Sequence, residues 1–180
     1  MTFGERIVGA MKLDANTFED IERDQSAIGQ AIGVIALAAV SNGMGWIFYS
    51  GFSGIFTGVI TSLIGYALWA TVVWLVGTKL MPDPATKADF PETFRVVGFA
   101  AAPGLLSIVT IIPLLGWLLM GVLWIWSIAA MVVATRQVLD YTDTFKAVIV
   151  VLIGFALYAF VMVTIWVFSF GAAMIGGMPR

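Results

Sequence analysis

No charged side chain occurs between Gln25 and Thr78, between Val96 and Thr135, or between Ala147 and Pro179, which are runs of 54, 40 and 33 residues. One helical crossing of a bilayer takes roughly 20 apolar residues. The first two runs therefore hold two crossings each, and the third holds one and a tail. Within hydrocarbon a span must satisfy its own backbone hydrogen bonds, which leaves helices as the economical solution. The chain is 61% hydrophobic and 11% charged with a mean hydropathy of +1.00, whereas soluble domains carry about 25% charge. The expectation is an all-α integral membrane bundle of five transmembrane helices, a single domain over residues 1–180, with spans at about 27–49, 54–77, 95–112, 117–135 and 145–168.

Cytoplasmic loops near span ends are enriched in Lys and Arg. Arg6, Lys12 and Arg23 precede the first span, Lys79, Lys87 and Arg95 fall between the second and third, and Arg136 and Lys146 between the fourth and fifth. Eight of nine basic residues thus share one face, with Arg180 opposite. This predicts a cytoplasmic N-terminus and an external C-terminus in a cell inner membrane. The first 24 residues, with six acids and three bases, do not read as a cleavable signal peptide. Without Cys or His there is no thiolate or imidazole to hold a metal or haem. No cofactor is expected. A net charge of −2 argues against nucleic acid as a partner.

Phe3, Ile7, Ala10 and Met11 recur at helical spacing, which predicts a short amphipathic helix lying on the inner surface. Thr17 with Asp20 resembles the start of a second helix, which the spacing of Phe18, Ile21, Gln25, Ile28 and Ile32 would run directly into the first span. The acids from Asp14 to Asp24 lack the Gly and oxygen ligand of a calcium loop and read as a solvated face. Ser50 to Ser53 reads as an outer turn flanked by an aromatic belt of Trp46, Tyr49 and Phe52, and Trp117 as a second outer marker. Asp89 and Glu92 can cap the third span with Pro91 in its first turn, and Thr142 or Asp143 the fifth. Trp69 and Trp74 lie towards the inner end of the second span, and the Gly-rich segment 171–180 reads as an external tail.

The third segment, Arg95 to Pro113, carries Pro103 near its middle. Proline removes a backbone donor and clashes with the carbonyl four residues back, so this span is expected to kink inside the bundle. Counted from Arg95 it spans roughly 26 Å at 1.5 Å per residue, short of a core of roughly 30 Å. Ala100, Gly104, Ser107 and Ile111 give it a slim face. Gly54, Gly58 and Gly65 form a packing stripe on the second span, for a helix of the same chain or for a second copy. Asn42, Ser107 and Thr110 are the candidate intramembrane polar contacts. Trp124 and Trp126 fall near mid-membrane, where a buried indole needs an acceptor. They serve either packing or a stacking wall for a lipid, quinone or pigment.

Gly98, Phe99, Pro103 and the intervening alanines resemble the Gly-Tyr-x-x-x-Pro signature in the third span of the Yip family, five-span proteins named for binding Ypt/Rab GTPases, with Phe99 in place of the Tyr. LDANTFEDIERDQSAIGQAI before the first span and ATRQVLDYTDTFKAV between the fourth and fifth are similar to the short prokaryotic members. The resemblance implies the five-span architecture, with Gly98, Phe99, Pro103 and Gly104 in helix packing. It also implies related five-span partners. The Asp-Leu-Tyr-type motif of the eukaryotic members has no counterpart here, so Rab GTPase binding is not expected.

The three uncharged runs contain no Asp, Glu, Lys, Arg, His or Cys, the ionisable and metal-binding side chains that chemistry within the bilayer would ask for. An enzyme is not expected. The leading reading is a non-catalytic scaffold that packs against lipids and against other membrane proteins or itself. The alternatives are a small-molecule or lipid conduit lined by Asn42, Ser107, Thr110 and the tryptophans of the fourth span, and an accessory subunit of a larger membrane complex.

Overall fold

The computed structural model describes residues 1–45, 47–112 and 115–176, and among them every regular element is helical. Two short helices, α1 (Phe3–Met11) and α2 (Ala15–Arg23), precede the spans. The spans are α3 (Ala27–Gly45), α4 (Ile47–Leu75, ending in a π-helical turn Val76–Leu80), α5 (Phe90–Phe99, continued by a 3₁₀ helix Ala102–Ile111), α6 (Leu115–Val138) and α7 (Thr144–Gly176). Five stretches of these are long and apolar enough to cross a bilayer.

The third span is the axis. About 67% of its most apolar window is buried, against 33% for the first span and 22% for each of the others. The capping box expected at its start is present: Asp89 Oδ1 accepts from Glu92 N–H at 2.7 Å and Glu92 Oε2 from Asp89 N–H at 3.1 Å, with Pro91 beside it. Pro103 does more than kink the span. The α-helix tightens at Ala100, whose N–H reaches both Val96 and Val97 carbonyls, and ten residues of 3₁₀ helix follow. A 3₁₀ helix rises about 2.0 Å per residue. With its start at Phe90 rather than Arg95, the span has a contour of roughly 35 Å. It is no longer too short for the bilayer. Three residues per turn also align Ala101, Gly104, Ser107 and Thr110 in one column, in place of the slim face through Ala100 and Ile111 that α-helical spacing suggests.

Several boundaries move. Residues 50–53 are helical, and α4 begins at Ile47 just after α3 ends at Gly45, so the outer turn is not at Ser50–Ser53. A shorter connection leaves fewer backbone groups unpaired away from water. The expected belt at Trp46, Tyr49 and Phe52, the Trp117 side chain and residues 177–180 lie outside what is described. Helix α7 continues through Gly171 to Gly176, where a tail was expected. Gly116 is held close: a methyl group there would fall 2.3 Å from the Thr110 carbonyl oxygen, which only glycine avoids.

The charged segments meet at one end. Tyr141 Oη donates to Met81 O at 2.6 Å, Thr86 Oγ1 to Leu139 O at 2.7 Å, Gln137 Nε2 to Ala15 O at 3.3 Å and Arg95 Nη2 to Glu22 O at 2.6 Å, and Lys146 pairs with Asp83. Helix α2 is capped by Asp14, not Thr17. Its Oδ1 accepts from Asn16 N–H at 3.2 Å while Thr17, fully buried, donates its hydroxyl to Asp14 Oδ2 at 2.8 Å. The helix stops at Asp24, whose Oδ1 accepts from Ser26 N–H and Oγ, so it does not run into the first span.

The acidic cluster is only partly a solvated face. Arg6 is 3% exposed and gives Nε to Asp20 at 2.8 Å, Nη2 to Asp24 at 2.7 Å and Nη1 to Gln30 at 2.9 Å. Helix α1 is thereby held against the bundle by one face, with Arg6, Gly9 and Ala10 buried. Phe3 meets Phe99 edge-on at 6.3 Å, and Trp126 Nε1 donates to Met11 O at 2.8 Å. That bond is the backbone acceptor on another helix expected for one of the two indoles, and Trp126 is half-buried.

Burial, and then the charges of Glu92, Asp140 and Glu19, push the Glu22 carboxyl from an ordinary 4.5 up to about 7. Folding therefore binds a proton between those values, and stability present below pH 4.5 is lost as pH rises through 7. Hydrogen bonds from Ser26 and Arg6 hold Asp24 down at about 2, so its contribution is lost only in stronger acid and leaves the Glu22 window separate. Glu22→Gln is expected to flatten the fall in unfolding midpoint between pH 5 and pH 8, measured in one detergent; an unchanged slope contradicts the assignment.

Candidate functional site

Two places combine close geometry with chemistry: the seam between α3 and the third span, and a cavity on the other side of that span. At the seam, a methyl group on Gly98 would lie 2.9 Å from Ala31 Cβ, and one on Gly104 would lie 3.2 Å from Ala38 Cβ and 3.8 Å from Asn42 Nδ2. Alanines seven residues apart on α3 thus receive glycines six apart on the broken span. Backbones in lipid associate through such contact because lipid tails remove the hydrophobic drive. Phe99, between them in sequence, is fully buried against Phe3, and Pro103 begins the tightened helix.

The polar residues of this region bond along their own helices. Asn42 Nδ2 donates to Ala38 O at 3.2 Å, Ser107 Oγ to Gly104 O at 2.6 Å and Thr110 Oγ1 to Ser107 O at 2.6 Å. The structure brings Asn42 beside Gly104, at the head of the column that Ser107 and Thr110 continue. On α4, a methyl on Gly58 or Gly65 would meet nothing within 4 Å, and Gly54 lies on the same helix.

The cavity, about 380 Å³, lies between α4, α6 and α7 with Ala100 of the third span on its wall. Tyr66, Trp69, Trp124, Ser127, Phe155 and Tyr158 line it with Gly65. Four of the rings form a chain: Trp124 to Phe155 at 6.3 Å, Phe155 to Trp69 at 4.6 Å and Trp69 to Tyr158 at 6.3 Å. Gly154 lets Trp69 sit close, since a methyl there would be 3.2 Å from the indole Cζ2. Trp69 is 8% exposed and its Nε1, buried, has no acceptor among the described residues. Trp124, by contrast, is 63% exposed and is not the buried indole that its mid-span position suggests. No single span shows this cavity in its sequence. The local signal is Trp124, which the sequence offers as a candidate stacking wall and which does line the cavity.

A family model for the Yip1 domain matches residues 15–175 of the 180. The chain belongs to the Yip1 domain family. The match takes in the five spans of this Yip1 domain together with α2, while α1, which carries Phe3 and Arg6, precedes it. No curated protein and no solved structure matches the chain.

Close packing at the seam of the Yip1 domain has a direct test. Gly98→Ala and Gly104→Leu are expected to cost about 1–3 kcal/mol each by overpacking, seen as lowered unfolding midpoints. Gly121→Ala, where a methyl meets nothing within 4 Å, should be neutral or should gain up to about 1 kcal/mol from helix propensity. Equal midpoints for all three would refute the close approach.

Proposed function

We propose that this Yip1-domain protein is a non-catalytic membrane scaffold that packs against lipids and against other membrane proteins or a second copy of itself. The observation that carries the reading is the outward face of α4. Phe56, Ile60, Ile64 and Leu68, exposed at steps of four residues, form one ridge, and open Gly58 lies on the same helix. A ridge of residues four apart is the shape that packs into a groove of a neighbouring membrane helix, while Gly58, more than 150° round the helix from Phe56 and Ile60 at about 100° per residue, opens a different face. The uncharged runs contain no Asp, Glu, Lys, Arg, His or Cys, the side chains on which turnover or proton coupling within a bilayer usually rests. The aromatic cavity supports a second reading, a binding protein for a membrane-dissolved small molecule.

The same reading places the protein in a cell inner membrane with its charged end in the cytoplasm, in line with the distribution of Lys and Arg. A membrane-impermeant amine reagent is expected to label Lys87 and Lys146 only after the membrane is opened; labelling of either lysine in intact cells overturns this orientation. For the scaffold, native mass spectrometry from mild detergent is expected to show retained lipid and a defined associated species. Ile60→Ala with Ile64→Ala, both exposed on the ridge, should weaken the association at a nearly unchanged unfolding midpoint. A lipid-free, unpartnered monomer refutes the reading, and protein-dependent solute flux in liposomes would favour a conduit in its place.

A further inference from the structure

We propose that the cavity between α4, α6 and α7 holds one diacyl glycerolipid of the leaflet far from the charged end, with an acyl chain filling it and an ester carbonyl accepting from the hydroxyls of Ser62 and Tyr66. The proposal goes beyond the scaffold reading, which needs no lipid at a fixed place. The cavity is a fork in the bundle. Helix α7 packs inward at Ala147, Val150 and Val151, and Gly154 closes it on Trp69. Past Phe155 it leaves the other helices, and Leu157, Tyr158, Phe160, Val163 and Phe168 are exposed. Between Ile47 and Leu68 on α4, no described residue is buried. Thr61 and Trp124, both exposed and both on the cavity wall, mark a mouth that faces lipid. An opening of about 380 Å³ on that side is filled from the bilayer.

Depth and polarity decide how the lipid sits. Ser62 precedes Lys79 by seventeen residues and Tyr66 by thirteen, whereas Met131 precedes Arg136 by only five. At about 1.5 Å per residue the lining runs from roughly 8 Å to roughly 25 Å above the charged end. That is close to the length of a tail in one leaflet, half of a core of roughly 30 Å. Ala100, Ile128 and Met131 make the deep end apolar, and the hydroxyls of Thr61, Ser62 and Tyr66 gather at the shallow end. This gradient follows a lipid of the far leaflet, whose ester carbonyls lie at the edge of the core.

Two of those hydroxyls are free to meet it. Thr57, Thr61, Thr71, Ser127 and Thr164 each donate to the carbonyl four residues back on their own helix. Ser62 and Tyr66 make no hydrogen bond to any described residue. Nor are they sealed, since the buried unpaired side-chain atoms are Trp69 Nε1, Arg95 Nε and Thr135 Oγ1. Four residues apart, they share one face of α4, and helical side chains lean towards the helix N-terminus, here the far end. Both hydroxyls are thus carried towards the ester level. An unpaired hydroxyl in hydrocarbon is costly, and the ester supplies its acceptor. A transmembrane helix in the same place keeps its carbonyls in its own bonds and leaves the two hydroxyls unsatisfied.

The test uses the full chain in dodecyl maltoside, which has no ester, and as the probe a diester phosphatidylcholine carrying a photoreactive diazirine midway along one chain. Saturable labelling concentrated around Trp69, Trp124 and Phe155 is expected. A diether phosphatidylcholine with the same chains lacks the carbonyls and should compete about three- to tenfold less well than the diester, the size of one hydrogen bond. That comparison requires no variant to fold. Ser62→Ala with Tyr66→Phe should weaken the diester by the same factor and leave the diether unchanged. Gly65→Leu, at a cavity wall where a methyl meets nothing within 4 Å, should abolish labelling there by filling the space. Equal competition by diester and diether overturns the ester assignment, as does an undiminished diester preference in the double variant. Labelling that never saturates and spreads over every lipid-facing surface overturns the site, and so does undiminished labelling of Gly65→Leu. Crosslinks between two copies of the chain at the cavity, with the probe excluded, overturn lipid as the occupant. Loss of association through Ile60 and Ile64 moves none of these readouts, so the scaffold and the lipid site fail separately.

Discussion

The approach of the broken third span to α3 is the contact on which the remaining packing rests. Gly98 over Ala31 and Gly104 over Ala38 bring two backbones together with almost no side chain between them. Because the hydrophobic effect gives helices in lipid no reason to associate, this surface contact has to supply the cohesion. Once the third span is seated, its other side becomes the floor for α4 and α6, on which α7 packs in turn, and Ala100 forms part of the cavity wall. A bulkier residue at the seam would therefore displace the axis and also everything built around it.

The charged end locks this arrangement from outside the hydrocarbon. Arg6 draws α1 to Asp20, Asp24 and Gln30 at once, and Arg95 ties the start of the third span to the Glu22 carbonyl. Asp20 and Asp24 are about one-third exposed, so the gain from these pairs is modest in energy and large in geometry. They specify where α1 lies, with Phe3 against Phe99. Polar interactions set register, and apolar contact sets closeness.

The sequence made legible whatever depends on one segment at a time. Uncharged runs gave five crossings, Asp89 and Glu92 gave a cap, Pro103 gave an interruption, and Gly98 with Phe99 and Pro103 gave the family likeness. What it hid depends on several segments converging. The acids from Asp14 to Asp24 read as a solvated face because the burial of Arg6 between Asp20, Asp24 and Gln30 arises only when helices from different parts of the sequence come together. The cavity could not be read because Trp69, Trp124 and Phe155 lie on different spans. Pro103 announced a break but not its form, since a missing donor says nothing of whether ten following residues will wind in threes.

That winding has a consequence for how this segment tolerates change in length. In an α-helix each residue advances a side chain by about 100°, so no small insertion restores a face exactly in line. Between Ala102 and Ile111 the step is about 120°, and three added or lost residues return Gly104, Ser107 and Thr110 to their column with a displacement of roughly 6 Å along the axis. A change of three residues in this half of the span thus keeps every side chain on its own face, whereas a change of one or two would turn the glycine away from Ala38 and present a larger side chain at a contact where even a methyl comes within 3.2 Å.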